Sequence, residues 1–375
     1  MSTVRRSSRI RRKIDLALQG GGAHGAFTWG VLHRLLEDDR IEISAISGSS
    51  GGAINAVVMA AGLMAGGRTA AREALREFWA SVGASARLNP LNGGMFGAMF
   101  GSAAAAWTPL GLYLDMASHV ISPYQFNPLN VNPLRRVIAD AVDFDAVRRC
   151  DKVDLFIGAT NVRTGRLRVF RNAELSVDAI LASACLPMLF QAVEIDGEAY
   201  WDGGYSGNPT LLPLIAEASA DDVLLVQINP SERDEVPTRA QDILARIDEI
   251  TFNGSLLKEL RSIALVRWML REEGRSIERY RAPLFRRLHD LRLHRLDGGV
   301  DLARLGNSSR LAADPATLSQ LHRLGYDAAD DWLARNFMHL GRRATFDLER
   351  DFPRDSLAGG DRASVPQTAE RRRPR

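Results

Sequence analysis

Two stretches, Ile14-Asp15-Leu16-Ala17-Leu18-Gln19-Gly20-Gly21-Gly22-Ala23-His24-Gly25 and Ile41-Glu42-Ile43-Ser44-Ala45-Ile46-Ser47-Gly48-Ser49-Ser50-Gly51-Gly52, decide how this chain reads. Each begins as a short, mostly apolar run, the pattern of a buried strand. Each then runs into glycines. After the first, apolar residues recur at Phe27, Val31, Leu32, Leu35 and Leu36, which is helical spacing. After the second, Ala53 to Leu63 is apolar nearly all round, which predicts a central helix. Strand, helix, strand and helix at this tempo imply parallel pairing with a right-handed crossover.

Outward from this unit the alternation continues. Thr69 to Val82 reads as a polar-faced helix and Asn130 to Val147 as helical in outline. Val153 to Thr160 is a third strand, paired as a hairpin with Leu167 to Phe170. Ser176 to Cys185 is a short helix ended by Pro187. Val193 to Trp201 is a hairpin turned at Asp196-Gly197. Thr210 to Ala218 is a helix, and Val223 to Ile228 is a buried strand. Thr238 to Leu288 is long and helical, Leu291 to Leu296 alternates as a last strand, and Pro315 to Leu340 is helical again. With neither internal repeat nor linker, residues 14–345 read as one α/β domain with a helical C-terminal extension.

Composition narrows the function classes. The 375 residues are 46 % hydrophobic and 25 % charged, as in folded soluble domains. Two cysteines exclude a disulfide framework and a Cys-rich zinc module, and no two histidines have HxxxH spacing. The net charge is +3, but residues 1–13 carry +6 and residues 361–375 carry +3, which leaves −6 between them. The basic character therefore belongs to the tails: 1–13 and 346–375 are expected to be disordered. The body has no basic stripe with interleaved aromatics, so no nucleic-acid partner is expected. The N-terminus lacks the apolar run of a secretory signal. Residues 43–67 and 88–114 are uncharged and long enough to span a bilayer, but Gly, Ser, Asn and Pro interrupt them. The expected location is cytoplasmic, with peripheral membrane contact through the basic N-terminal tail as an added option.

Three constellations carry chemistry. Gly20, Gly22 and Gly25 fit G-x-G-x-x-G between a strand and a helix, where backbone N–H groups can face an anion. A dinucleotide oxidoreductase would also want an acid at the end of the second strand, and Ser47-Gly48 supplies none. Gly48-x-Ser50-x-Gly52 is a G-x-S-x-G at a strand-to-helix turn, which exposes a serine hydroxyl on a sharp elbow. In a parallel sheet both turns lie at the carboxyl edge, so one loop can serve as oxyanion hole for the other's nucleophile. Asp202-Gly203-Gly204 follows a strand and offers a base. The seven histidines occupy ordinary helix or strand contexts, except His24 inside the glycine loop, so a Ser–Asp pair is favoured over a triad. Spacing alone does not choose Asp202 over Asp154 or Asp178.

Together these residues resemble the patatin-like phospholipase family in its bacterial form. The resemblance rests on Gly20-Gly21-Gly22-x-x-Gly25, on Gly48-x-Ser50-x-Gly52, on Ala182-Ser183-Ala184-Cys185-Leu186-Pro187 with Phe190, and on Asp202-Gly203-Gly204 with Asn208-Pro209. It covers residues 14–215 well and 216–345 loosely. It implies a three-layer α/β/α sandwich with a mostly parallel sheet, and a serine acyl hydrolase that needs no cofactor or metal. Ser50 would be the nucleophile, Asp202 the base, and Gly20, Gly21, Gly22 and Gly25 the oxyanion loop, with Gly48, Gly51, Gly52, Gly203 and Gly204 shaping the turns. His24 stands where the family usually has Arg or Lys, which removes a fixed positive charge beside that loop. The implied substrate is a lipid or other acyl ester; oligomeric state is not legible. Leu88 to Trp107, with Met95, Phe96, Met99, Phe100 and Trp107, is the candidate lid. The rival readings are a non-catalytic scaffold of this fold and, more remotely, the nucleotide-binding oxidoreductase.

Overall fold

The computed structural model describes residues 11–88, 122–233, 235–273, 281–299, 302 and 313–353. The two opening strands form as read: β1 spans Arg12–Leu18 and β2 Ile41–Gly48, joined by α1, Gly25–Glu37. Helix α2, Gly51–Leu88, merges the two helices expected at 53–63 and 69–82, broken at Gly66-Gly67, where Gly67 has φ +72°. After α3, Pro133–Ala141, a second short helix at Phe144–Arg148 completes the segment read as one helix. Val142 separates the two, and the Asp143 side chain caps the second by accepting from Ala146 N–H.

Strand β3, Asp154–Asn161, turns back into β4, Leu167–Arg171. Helix α4, Val177–Ser183, precedes the hairpin of β5, Val193–Ile195, and β6, Glu198–Asp202. Its turn residues Asp196 and Gly197 have φ +52° and +78°, the two positive values a type I′ turn requires. Helix α5, Leu212–Glu217, leads to β7, Asp222–Gln227. The long α6, Ala240–Glu272, and α7, Pro283–Asp290, precede β8, Arg292–Asp297, and α8, Pro315–Asn336, follows it.

The eight strands form one sheet in the order β5-β6-β3-β2-β1-β7-β8, with β4 paired to β3. Strands β1, β2, β3, β7 and β8 run parallel; β4, β5 and β6 are antiparallel. Alternation along the strands divides their side chains between two cores. Leu16, Leu18, Ile46, Leu155, Ile157, Leu224 and Val226 face the layer of α1, α2, α4 and α8. Ala17, Ala45, Phe156, Val223, Leu225 and Leu293 face the layer of α5, α6 and α7. This is the expected α/β/α sandwich.

Both expected boundaries move. β1 starts at Arg12, inside the stretch read as tail, because its edge pairs with β2 from Arg12↔Ile41 onward. At the other end Phe346 and Leu348 are buried in the second core, so the body continues past residue 345. Apart from the end of α2 at Leu88, the candidate lid lies outside the described residues. Among the described residues no helix is long and apolar enough to cross a membrane.

Candidate active site

The sheet's pairing brings the two chemical turns together. Ile157 of β3 pairs with Gly48 of β2 and with Phe170 of β4. Ala159, two residues on, pairs with Asp202 of β6 and with Arg168 of β4. A strand has two edges and β4 occupies one, so β2 and β6 share the other. They approach from opposite directions and end almost head to head. Ser50 follows the end of β2, and Asp202 is the end of β6.

Ser50 has φ +53°, the left-handed region that a residue with a Cβ rarely adopts. The surroundings hold it there. Its N–H donates to Ser183 O and Ser183 Oγ, both at 3.1 Å. A Cβ on Gly52 would lie 2.2 Å from Leu18 O, and one on Gly48 would lie 2.8 Å from the Gly52 carbonyl carbon. The elbow glycines thus let the start of α2 pass against the end of β1. Ser49 points the other way and donates to Gly207 O at 2.5 Å.

Asp202 is fully buried. Its Oδ1 accepts from Gly204 N–H at 2.7 Å, while Oδ2 has no hydrogen-bond partner among the described residues. Burial pushes its pKa up to about 7; the Gly204 bond and the adjoining Ser50 hydroxyl oppose that rise less strongly. The run before Pro187 acts as a ruler between the two residues. Ser183 receives the Ser50 N–H, and Cys185 O receives the Asp202 N–H at 2.8 Å.

The glycine loop lies beside the elbow. A Cβ on Gly20 would sit 2.7 Å from Ser50 Cβ, and one on Gly51 would sit 3.2 Å from Gly22 O. Two of the four glycines expected to offer N–H groups have them engaged within the protein. Gly20 donates to Asn208 Oδ1 at 2.7 Å, and Gly25 donates to the carbonyls of Gly22 and Ala23. Among the described residues no acceptor engages the N–H of Gly21, Gly22 or Gly51. His24 is buried at the N-terminus of α1 and does not line the pocket. Gly203 and Gly204 make the turn after β6 fit: a Cβ on Gly203 would meet Gly158 O at 2.1 Å, and one on Gly204 would meet Phe252 at 2.3 Å.

A network of buried amides that sequence reasoning missed holds this loop. Gln19 Oε1 accepts from the N–H groups of Ile228 and Asn229, and its Nε2 donates to Asn253 Oδ1 at 2.8 Å. Asn229 Nδ2 donates to Gly20 O at 2.8 Å. These partners come from the segments after β1, β6 and β7, and from α6, so no local spacing announces them.

Ser50, Asp202 and the loop open onto a pocket of about 150 Å³. Ile54, Phe78, Trp79, Leu134, Ala184 and Leu186 give it an apolar wall, and Asn229, Asp248 and Phe252 complete it. Asn55 fixes this wall to the glycine turns: it accepts from Trp79 Nε1 at 3.1 Å and donates to Gly25 O and Gly51 O. Asp154 and Asp178, equal to Asp202 by spacing, lie elsewhere. Asp154 is exposed at the start of β3, and Asp178 pairs with Arg135. Among the described residues there is no cluster of three or more His, Cys, Asp or Glu fit to hold a metal.

Residues 16–215, over half of the chain, match the patatin-like phospholipase family, and the chain belongs to it. Membership sets the reaction class at lipid acyl hydrolysis, the cleavage of a carboxylic ester. Two solved structures are similar to the chain. VipD from Legionella pneumophila is 15 % identical over 86 % of this chain and 67 % of its own, with a TM-score of 0.38. ExoU from the type III secretion system of Pseudomonas aeruginosa, solved with SpcU, is 16 % identical over 94 % of this chain and 69 % of its own, with a TM-score of 0.29. No curated protein matches the sequence.

Proposed function

We propose that this chain is a serine lipid acyl hydrolase of the phospholipase A or lysophospholipase kind, working through Ser50 and Asp202 without a cofactor. The observation that carries the reading is a serine held at φ +53° beside a fully buried carboxyl whose pKa burial has pushed up to about 7. An ordinary aspartate, with a pKa near 3.9, is too weak a base to activate a hydroxyl; one near 7 is matched to the task.

Ser50 Oγ attacks the ester carbonyl and its proton passes to Asp202. The N–H groups of Gly21, Gly22 and Gly51 receive the developing oxyanion, aided by the N-terminal end of α2. Collapse of the tetrahedral intermediate expels the alcohol, which takes the proton from Asp202. Water then attacks the acyl-serine, gives its proton to Asp202, and releases the carboxylic acid as Ser50 recovers its own. The apolar wall receives the acyl chain. Contact with a lipid surface is peripheral.

Hydrolysis of p-nitrophenyl butyrate and of a labelled phospholipid by wild type, Ser50→Ala and Asp202→Asn tests this. Both variants should lose at least 10³-fold in kcat with unchanged circular dichroism. Activity surviving in Ser50→Ala, or a wild type that never labels with a fluorophosphonate, overturns the reading and leaves a scaffold of this fold.

A further inference from the structure

The pocket's apolar wall and the two glycine turns converge on one buried side chain. Asn55 lies one turn into α2 and is fully buried. Its Nδ2 donates to Gly51 O at 2.8 Å and to Gly25 O at 3.0 Å, and its Oδ1 accepts from Trp79 Nε1 at 3.1 Å. Both amide hydrogens and one lone pair are thus engaged. Gly51 belongs to the serine elbow and Gly25 ends the glycine loop, so the carboxamide bridges the two turns. A Cβ on Gly51 would lie 3.5 Å from Gly25 Cα, and one on Gly25 would lie 3.0 Å from the Trp79 ring. Among the described residues no backbone-to-backbone hydrogen bond joins residues 20–25 to residues 49–52.

These bonds reach both sides of the space in front of Ser50. Gly25 N–H donates to the carbonyls of Gly22 and Ala23, so a hold on Gly25 O steadies the loop that carries the N–H groups of Gly21 and Gly22. Gly51 O belongs to the same residue as the third N–H. The front of the loop is fixed separately, by Asn208 and Asn229 on Gly20. Without Asn55 the loop stays tied at Gly20, but its far end loses this bond to the elbow. Oxyanion donors act only at a set spacing, and a misplacement of about 1 Å costs on the order of 10²-fold. Serine at this helix position would reach only the carbonyl four residues back, as Ser262 does toward Lys258 O at 2.9 Å.

We propose that Asn55 is a positioning residue that sets the spacing between the Gly51 N–H and those of Gly21 and Gly22, and with it the geometry of the oxyanion site. This inference rests on the acyl-hydrolase reading. Asn55 does not line the pocket and takes no part in proton transfer; it acts through the two backbone turns.

The test uses full-length Asn55→Ser and Asn55→Ala with p-nitrophenyl butyrate, beside Asn172→Ala as a control. Asn172 makes a comparable pair of bonds, to Val153 O and from Leu155 N–H, at the opposite end of β3 from its pairing with Asp202. All three variants should melt below wild type. In both Asn55 variants kcat should fall on the order of 10–10²-fold with KM within about twofold of wild type, while Asn172→Ala keeps its kcat. The pH midpoint of kcat/KM should not move, because the bonds of Asp202 are intact. A butyl trifluoromethyl ketone gives a second readout. Ser50 Oγ bonds to its carbonyl carbon, the hydroxyl proton passes to Asp202, and the carbonyl oxygen takes the negative charge. Its Ki should rise by the factor by which kcat/KM falls, since the adduct's oxyanion occupies the same site. Wild-type kcat in a folded Asn55→Ser overturns the proposal, as does a loss carried by KM alone, a loss shared by Asn172→Ala, or an unchanged Ki. Asn55→Ser keeps the bond within α2 and carries the test where Asn55→Ala does not fold. A wild type inert toward the ester counts instead against the catalytic reading on which the proposal depends.

Discussion

Asp202 is placed at a cost to the fold that a pH titration can expose. Its folded pKa, about 7, lies above the unfolded value of 3.8. Between those limits the folded state keeps a proton that the unfolded state has released, so stability falls as pH rises from about 4 to 7, and the full cost applies above 7. That cost approaches about 4 kcal/mol for such a difference. Asp202→Asn keeps an oxygen for the Gly204 N–H but carries no charge. It should therefore melt several degrees above wild type at pH 8 and close to it at pH 4.5. Asp15, raised to about 6 by burial, acts in the same direction but is present in both proteins and cancels in the comparison. In the proposed mechanism catalysis has the opposite sign, because there only ionised Asp202 accepts a proton: kcat/KM should rise with pH and reach half its plateau near 7. A profile flat from pH 5 to 8 would exclude Asp202 as the base. At this scale the strained turn at Ser50 was legible, because the elbow's glycines sit next to it in sequence. Asp202 was not separable from Asp154 or Asp178 by spacing; a shared edge of β3 sets it beside the elbow of Ser50, and that edge is a property of pairing between distant strands.

At the scale of elements, α1 and α8 cross with almost no space between their backbones. A Cβ on Gly30 would lie 2.0 Å from His322 O, and one on Gly325 would lie 1.9 Å from Phe27 O. The periodicity of α1 was plain from its apolar residues, but the need for glycine at 30 and 325 appears only once the two helices meet. Gly325→Ala must push the helices apart and should destabilise by about 1–3 kcal/mol, measured by denaturant midpoint. Because α1 starts at the glycine loop, the same variant should also lower kcat; unchanged kcat would show that the loop is held by its amide network alone. His33 and His322 meet in this crossing at 2.9 Å, and burial with the neighbouring His33 drives the His322 pKa down to about 4. A folded pKa below the unfolded 6.5 means stability is complete above 6.5 and declines as pH falls toward 4. His322→Gln should flatten the acid limb of the stability curve between those values.

The whole molecule is larger than its recognisable part. All four motifs and the family match end by residue 215, yet β7 begins at Asp222 and lies between β1 and β8. Without it the edge of β1, the strand that carries the glycine loop, would be bare. The carboxyl of Asp222 ties this half together: it accepts from Gly341 N–H and Arg292, and pairs with His294, whose other ring nitrogen meets Thr345 Oγ1 at 2.8 Å. Asn229 and Asn253, which hold Gly20 and Gln19, also lie beyond the match. Little of this was readable, because buried polar networks draw single residues from many elements and leave no period in the sequence. A chain ending at residue 217 would keep Ser50 and Asp202 but lose these supports. Expressed alone it should be insoluble, or at best compact without a cooperative melt, and inert toward p-nitrophenyl butyrate. If that fragment instead melts cooperatively and turns over the ester at a rate near that of the full chain, the site is self-sufficient. The sheet beyond β1 would then serve something other than placing the loop.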